Sequence, residues 1–115
     1  MTNDCIFCAI AAHEIPSTIV HEDDAVVAIR DLNPQAPVHV LVLPRAHLAS
    51  AAELDHEHAE LWYRMLRVAK HVAASDGIAE RGYRLVVNVG HEGGQTVAHL
   101  HMHVLGGRQM TWPPG

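Results

Sequence analysis

The run His99-Leu100-His101-Met102-His103 places an imidazole at every second position. Successive side chains of a β-strand point to opposite faces. An extended run therefore projects His99, His101 and His103 from one face, and Leu100, Met102 and Val104 from the other. Three histidines on one face of one strand do not make an apolar core. Imidazole transfers protons, attacks electrophiles and ligates metals near neutral pH. The preceding segment, Gly90-His91-Glu92-Gly93-Gly94-Gln95-Thr96, has the glycine content of a loop whose backbone N–H groups bind an anion.

The 115 residues suffice for one domain with a single core, spanning residues 1–115. The formal net charge is −5 with eight Lys and Arg, too few for a surface that tracks the phosphates of a long nucleic acid. A small nucleotide needs only a few local donors and stays open. No apolar run approaches the ~18 residues of a membrane span. Met1-Thr2-Asn3-Asp4 is polar and lacks the basic and apolar regions of a signal peptide, so the expected compartment is cytoplasmic. Cys5 and Cys8 are the two cysteines. In a reducing compartment a structural disulfide is disfavoured, and Cys-x-x-Cys reads as half a metal site or a redox pair. Two buried thiols in a small helix are the plainer alternative. No strand precedes the pair, as a thioredoxin-like motif would require.

Residues 5–12 read as a short apolar helix. Strands follow near 18–21 and 25–30, split by the turn Glu22-Asp23-Asp24. Asp31-Leu32-Asn33-Pro34-Gln35-Ala36-Pro37 is a loop, and His39–Leu43 is a strand stopped by Pro44. The clearest helix runs from Asp55, a good N-cap, to Ser75, with Gly77 at the C-terminal cap position. Leu61, Met65, Val68 and Val72 form its buried stripe. A strand at 84–89 precedes the glycine loop and the histidine run. The order predicts an α+β fold with a mainly antiparallel sheet rather than βαβ units. Trp112 in the tail exposes a large ring unless it packs on something, of which a partner subunit is one candidate. His13, His21, His56, His58, His71 and His91 read as surface residues.

The chain resembles the histidine triad (HIT) superfamily, on its Hint-like nucleoside phosphoramidase branch. The signature His-φ-His-φ-His-φ-φ (φ apolar) is met by His99-Leu100-His101-Met102-His103-Val104-Leu105. Asp31 to His39, Gly93-Gly94-Gln95-Thr96, Gly106-Gly107-Arg108-Gln109-Met110 and Trp112-Pro113-Pro114-Gly115 also resemble Hint segments. The resemblance implies a HIT-like fold: a five-stranded antiparallel sheet with one long and one short helix. It implies a homodimer whose two sheets join, with the tail, 105–115, near the partner's active site. It implies hydrolysis of purine nucleoside 5′-phosphoramidates at the P–N bond, through a covalent nucleotidyl-histidine.

By resemblance the catalytic residues are His101, the nucleophile, with His103 and His39. Covalent catalysis divides one difficult displacement into two easier ones. The implied nucleotide contacts are Asp31 at the ribose, Ile6, Phe7, Ile10, Ile29 and Leu32 around the base, and Asn88, Gly94, Gln95, Thr96 and Val97 at the phosphate and leaving group. Thr96 stands where the family usually has serine, and Ile29 where an aromatic is common. The resemblance also implies a structural zinc on Cys5, Cys8, His47 and His99, a Cys₂His₂ set with no open position, and no catalytic cofactor. Two readings compete. One is a metal-dependent hydrolase using the histidine cluster, for which no acidic residue alternates with the triad as ligand or base. The other is a non-catalytic nucleotide-binding interaction protein.

Overall fold

The computed structural model describes residues 4–115; the polar opening Met1–Asn3 lies outside the described residues. Helix α1 (Ile6–Ala11) is followed by strands β1 (Ile19–Glu22), β2 (Val26–Arg30) and β3 (Val38–Pro44). Two 3₁₀ turns, Ala51–Glu53 and His56–His58, lead into α2 (Ala59–Ser75), then β4 (Tyr83–Val86) and β5 (Met102–Gly106). The strands form one antiparallel sheet in the order β1-β2-β3-β5-β4. No helix among the described residues is long and apolar enough to cross a membrane.

Both faces of the sheet are covered, so β2 and β3 read as nearly continuous apolar runs. Val26, Ala28, Val40, Val42, Met102 and Val104 pack under α2 with Met65, Val68 and Val72. Val27, Ile29, Leu41 and Leu43 face the other way, against Phe7, Ile10 and Ala11 of α1. Leu61 is only half-buried at the edge of the α2 stripe. Truncating a fully buried side chain such as Met102 to Ala in such a layer costs about 2–5 kcal/mol.

The expected elements shift at their ends, and three of the shifts have clear local reasons. The helix expected from Asp55 begins as a 3₁₀ turn: Asp55 caps the N–H of Glu57 at 3.1 Å, while its own N–H donates to His58 Nδ1 at 3.2 Å. The strand expected over 84–89 spans Tyr83–Val86, because Val86 already pairs with His103 and β5 starts one residue earlier. The histidine run is not one strand: of its three histidines only His103 lies in β5. β3 ends at Pro44, which has no N–H to continue a ladder, and the Leu100 N–H bonds to Leu48 O at 2.7 Å instead. The alternation of faces survives this break. Leu100, Met102 and Val104 join the α2 cluster, while His99 and His101 meet Phe7 of α1 edge-on. β5 also takes in the first two residues of the segment 105–115.

Candidate active site and metal cluster

The α1 face of β3 and β5 carries the site. His39 opposes Leu105, and His103 opposes Leu41, so His39 and His103 are diagonal neighbours across the β3–β5 pair. Side chains in that relation touch when they are long or aromatic. His39 Nε2 and His103 Nδ1 are 2.9 Å apart.

The surroundings assign the protons. The Gln35 N–H donates to His39 Nδ1 at 3.0 Å, so neutral His39 holds its proton on Nε2 and donates it to His103 Nδ1. The proton of His103 therefore sits on its Nε2 edge. His101 is held the opposite way: its Nδ1 donates to the backbone carbonyl of His99 at 2.7 Å, which leaves a lone pair on Nε2. The His101 and His103 rings lie 5.0 Å apart, and Phe7 meets His101 edge-on at 5.0 Å. Burial, with the neighbouring charges of His101 and His39, drives the pKa of His103 down to about 4. Burial lowers that of His39 as well, against the pull of Asp31. Both rings are thus held neutral at physiological pH.

His101 and His103 open onto a cleft of about 270 Å³, at the small end of small-molecule pockets. Ile6, Phe7, Ile10, Ile29, Asp31, Leu32, Thr96 and Val97 line it as well. Ile15, Pro16, Ser17, Arg30 and Leu41 share the wall and were not among the expected residues. Leu41 was readable, since it is two residues from His39 on the same strand face. Ile15 to Ser17 lie in a connection with no periodic signal. Asp31 accepts the Asn33 N–H at 2.8 Å on one oxygen, and its other oxygen lies 3.4 Å from His39 Nε2.

Asn88, Gly94 and Gln95 do not line this cleft. They belong to the adjoining loop, in which Gly90 and Gly94 adopt positive φ (75° and 84°). Gln95 braces that loop: its amide donates to Ala49 O at 2.7 Å and Val97 O at 2.9 Å, and its carbonyl accepts from Gly90 at 3.0 Å.

A second constellation lies beside the first. Donor atoms of Cys5, Cys8, His47 and His99 all fall within 4.8 Å of one another. Cys5 Sγ is 3.2 Å from His99 Nδ1, Cys8 Sγ is 3.3 Å from His47 Nδ1, and the two Nδ1 atoms are 3.2 Å apart. Tetrahedral zinc with ~2.3 Å bonds to sulfur and ~2.0–2.1 Å bonds to nitrogen requires N···N edges of ~3.4 Å and S···N edges of ~3.6 Å. The four donors fit that ion. His99, fully buried, donates Nε2–H to Pro44 O at 2.8 Å, which turns the lone pair of Nδ1 toward the sulfurs. An open hollow over this cluster shares Ile6, Thr96 and Val97 with the cleft.

Asp31, His39 and His103 also bring donor atoms within 4.8 Å. Their hydrogen bonds argue against a metal centre. His39 Nδ1 already accepts a hydrogen bond from the Gln35 N–H and so carries no proton, and ligation through Nε2 would require an imidazolate.

The HIT domain family model matches residues 12–110. A purine nucleoside phosphoramidase of Escherichia coli K12 is 46% identical over 110 residues, covering 96% of this chain and 92% of that protein. A 14 kDa zinc-binding protein of Zea mays is 51% identical over 112 residues, covering 96% of this chain and 87% of that protein. The crystal structure of a HIT family hydrolase from Legionella pneumophila Philadelphia 1 superposes with a TM-score of 0.96 at 51% identity, over 97% of this chain and 100% of that one. Sheet order, histidine pattern and whole-length identity agree, and the chain belongs to the HIT family.

Proposed function

We propose that this hydrolase-like HIT protein cleaves the P–N bond of purine nucleoside 5′-phosphoramidates through a covalent nucleotidyl intermediate on His101. The observation that carries this reading is the 2.7 Å bond from His101 Nδ1 to the His99 carbonyl, which leaves the Nε2 lone pair beside the cleft. Attack by Nε2 forms the P–N(His101) bond, and the electron pair of the broken P–N bond leaves with the amine. The departing amine takes up a proton from solvent, while His103 Nε2–H, kept in that tautomer by His39, hydrogen-bonds the leaving-group side without giving up its only proton. Donors fixed at the point where charge develops stabilise the transition state. As positive charge develops on His101, its Nδ1–H bond to a carbonyl strengthens and stabilises it. Water then attacks the same phosphorus and loses a proton to solvent, the P–N(His101) bond breaks with its electron pair returning to Nε2, and the nucleoside monophosphate is released.

Asp31 accepts the ribose hydroxyls in this reading, and Ile6, Phe7, Ile10, Ile29 and Leu32 enclose the base. Thr96 and Val97, with the neighbouring Asn88, Gly94 and Gln95, serve the phosphate and leaving-group side. Zinc on Cys5, Cys8, His47 and His99 is structural, since four protein ligands leave no open position. When bound it crosslinks α1 to the segment that carries His101. A homodimer belongs to the same reading, and Trp112, 81% exposed, is the ring a partner would cover.

The test is turnover of adenosine 5′-phosphoramidate by the unaltered protein and by His101→Ala, with intact-mass analysis of acid-quenched samples. An adenylyl adduct and turnover in the first, and neither in the second, are expected. Equal turnover by both excludes the nucleophile. Nucleotide binding without turnover on any phosphoramidate favours a non-catalytic role.

A further inference from the structure

The C-terminal strap reaches the histidine relay from outside the cleft. After β5, Gly107 turns with φ of 91°, and a Cβ built on it would lie 2.8 Å from the Pro37 ring. Only glycine allows the strap to cross the 31–37 loop so closely. The next residue, Arg108, donates Nε–H to Gln35 O at 3.0 Å. The N–H of the same Gln35 is the donor that fixes His39. The Gln35 side chain takes no part, because its amide turns back to Asn33 O at 2.9 Å. Arg108 lies outside the cleft lining and meets the relay only through the Gln35 backbone.

We infer that Arg108 is a positioning residue for catalysis: by clamping the Gln35 backbone it holds the Gln35 N–H on His39 Nδ1, and so fixes the tautomer that points a proton of His103 into the cleft. The chain of contacts is continuous, from Arg108 Nε to Gln35 O, Gln35 N to His39 Nδ1 at 3.0 Å, and His39 Nε2 to His103 Nδ1 at 2.9 Å. Without the clamp on its carbonyl the Gln35 backbone is free to shift as a whole, and the adjoining 34–35 peptide, which carries the Gln35 N–H, shifts with it. His39 then loses the donor that forces its proton onto Nε2. The opposite tautomer places a lone pair against His103 Nδ1, moves the His103 proton to that side and leaves its Nε2 bare. The donor on the leaving-group side is then lost, while the ribose and base contacts are untouched. This inference rests on the proposed hydrolysis for its kinetic effect, but not for the tautomer.

The experiment compares Arg108→Met and Gln35→Ala with the unaltered protein. Ring-nitrogen shifts of ¹⁵N-labelled histidines are assigned by their loss in His39→Gln, and kinetics are measured on adenosine 5′-phosphoramidate. The unaltered protein and Gln35→Ala, which keeps both backbone groups, are expected to show His39 protonated on Nε2 alone. Arg108→Met is expected to show a mixture of tautomers, with kcat lower by about tenfold and KM changed less than twofold. A purely structural role for Arg108 would lower Tm and leave the tautomer and kcat where they were, overturning the inference. An equal loss in Gln35→Ala would also overturn it. If the unaltered protein hydrolyses no phosphoramidate, the functional reading fails and the nitrogen shifts alone decide the role of Arg108.

Discussion

The backbone carbonyl of His99 lies 2.7 Å from Nδ1 of His101. The ring of His99 lies 3.2 Å from both Cys5 Sγ and His47 Nδ1. One residue thus belongs to the sulfur–imidazole cluster through its side chain and orients the cleft-facing imidazole through its backbone. Alternation along 99–103 puts all three rings on one side of the sheet, and the break before β5 gives them different tasks. His103 is held by sheet register, His101 by a carbonyl two residues back, and His99 by Pro44.

Loss of the cluster should therefore loosen more than α1. Metal analysis of the purified protein is expected to give close to one zinc per chain. The double variant Cys5→Ser/Cys8→Ser should bind none and melt on the order of 10 °C lower, as expected for losing a few kcal/mol in a domain of this size. Turnover should fall by much less than in His101→Ala, because the ring that attacks remains. An unchanged Tm after complete removal of the metal would show that the four donors do not stabilise the fold.

Asp31 makes a prediction that depends on the sugar. Its carboxylate sits at the cleft wall, with one oxygen on the Asn33 N–H and the other toward His39. If it accepts the ribose hydroxyls, Asp31→Asn should raise KM for a ribonucleoside phosphoramidate by about 10–100-fold, the range for hydrogen bonds to a charged group. KM for the 2′-deoxy analogue, which already lacks one of those hydroxyls, should rise far less. Equal increases for the two substrates would mean that Asp31 acts through loop structure or through His39.

Much of this arrangement was legible in the chain. The five strands, the two helices and their order follow from apolar periodicity and turn residues. The side of the sheet taken by each histidine follows from alternation alone. Two kinds of information were not local. The end of the ladder at Pro44 depends on which strand pairs with the histidine run, so His99 and His101 could not be placed outside β5 from their own residues. The part played by Gln95 depends on Ala49, 46 positions away, whose carbonyl takes its amide. The side chain of Gln95 braces the loop that the family pattern places beside the phosphate. Ile15 to Ser17 reach the cleft because α1 docks on β2 and β3, a packing that no short motif encodes.

The buried rings set how stability depends on pH. His103 has a pKa of about 4 in the fold against an ordinary 6.5, and that of His39 is also lowered, each chiefly by burial. Between about pH 4 and 6.5 the unfolded chain therefore binds more protons than the folded one. Stability rises with pH wherever that holds, so it should fall on acidification from pH 6.5 toward 4, before most carboxylates titrate. The carboxylates contribute in a lower window. Asp23 is held near 2, with burial opposed by hydrogen bonds from His21, Ala25 and Val26, and Asp76 is lowered by Arg30. Their stabilisation is lost as pH falls below the ordinary carboxylate range. Urea unfolding at intervals from pH 4.5 to 7.5 should give a free energy that climbs to about pH 6.5 and then levels. His103→Gln, which removes the most strongly shifted ring, should give a shallower climb. A wild-type stability that increases on acidification through this window would contradict the burial of neutral His39 and His103, and with it the tautomer assignment on which the relay depends.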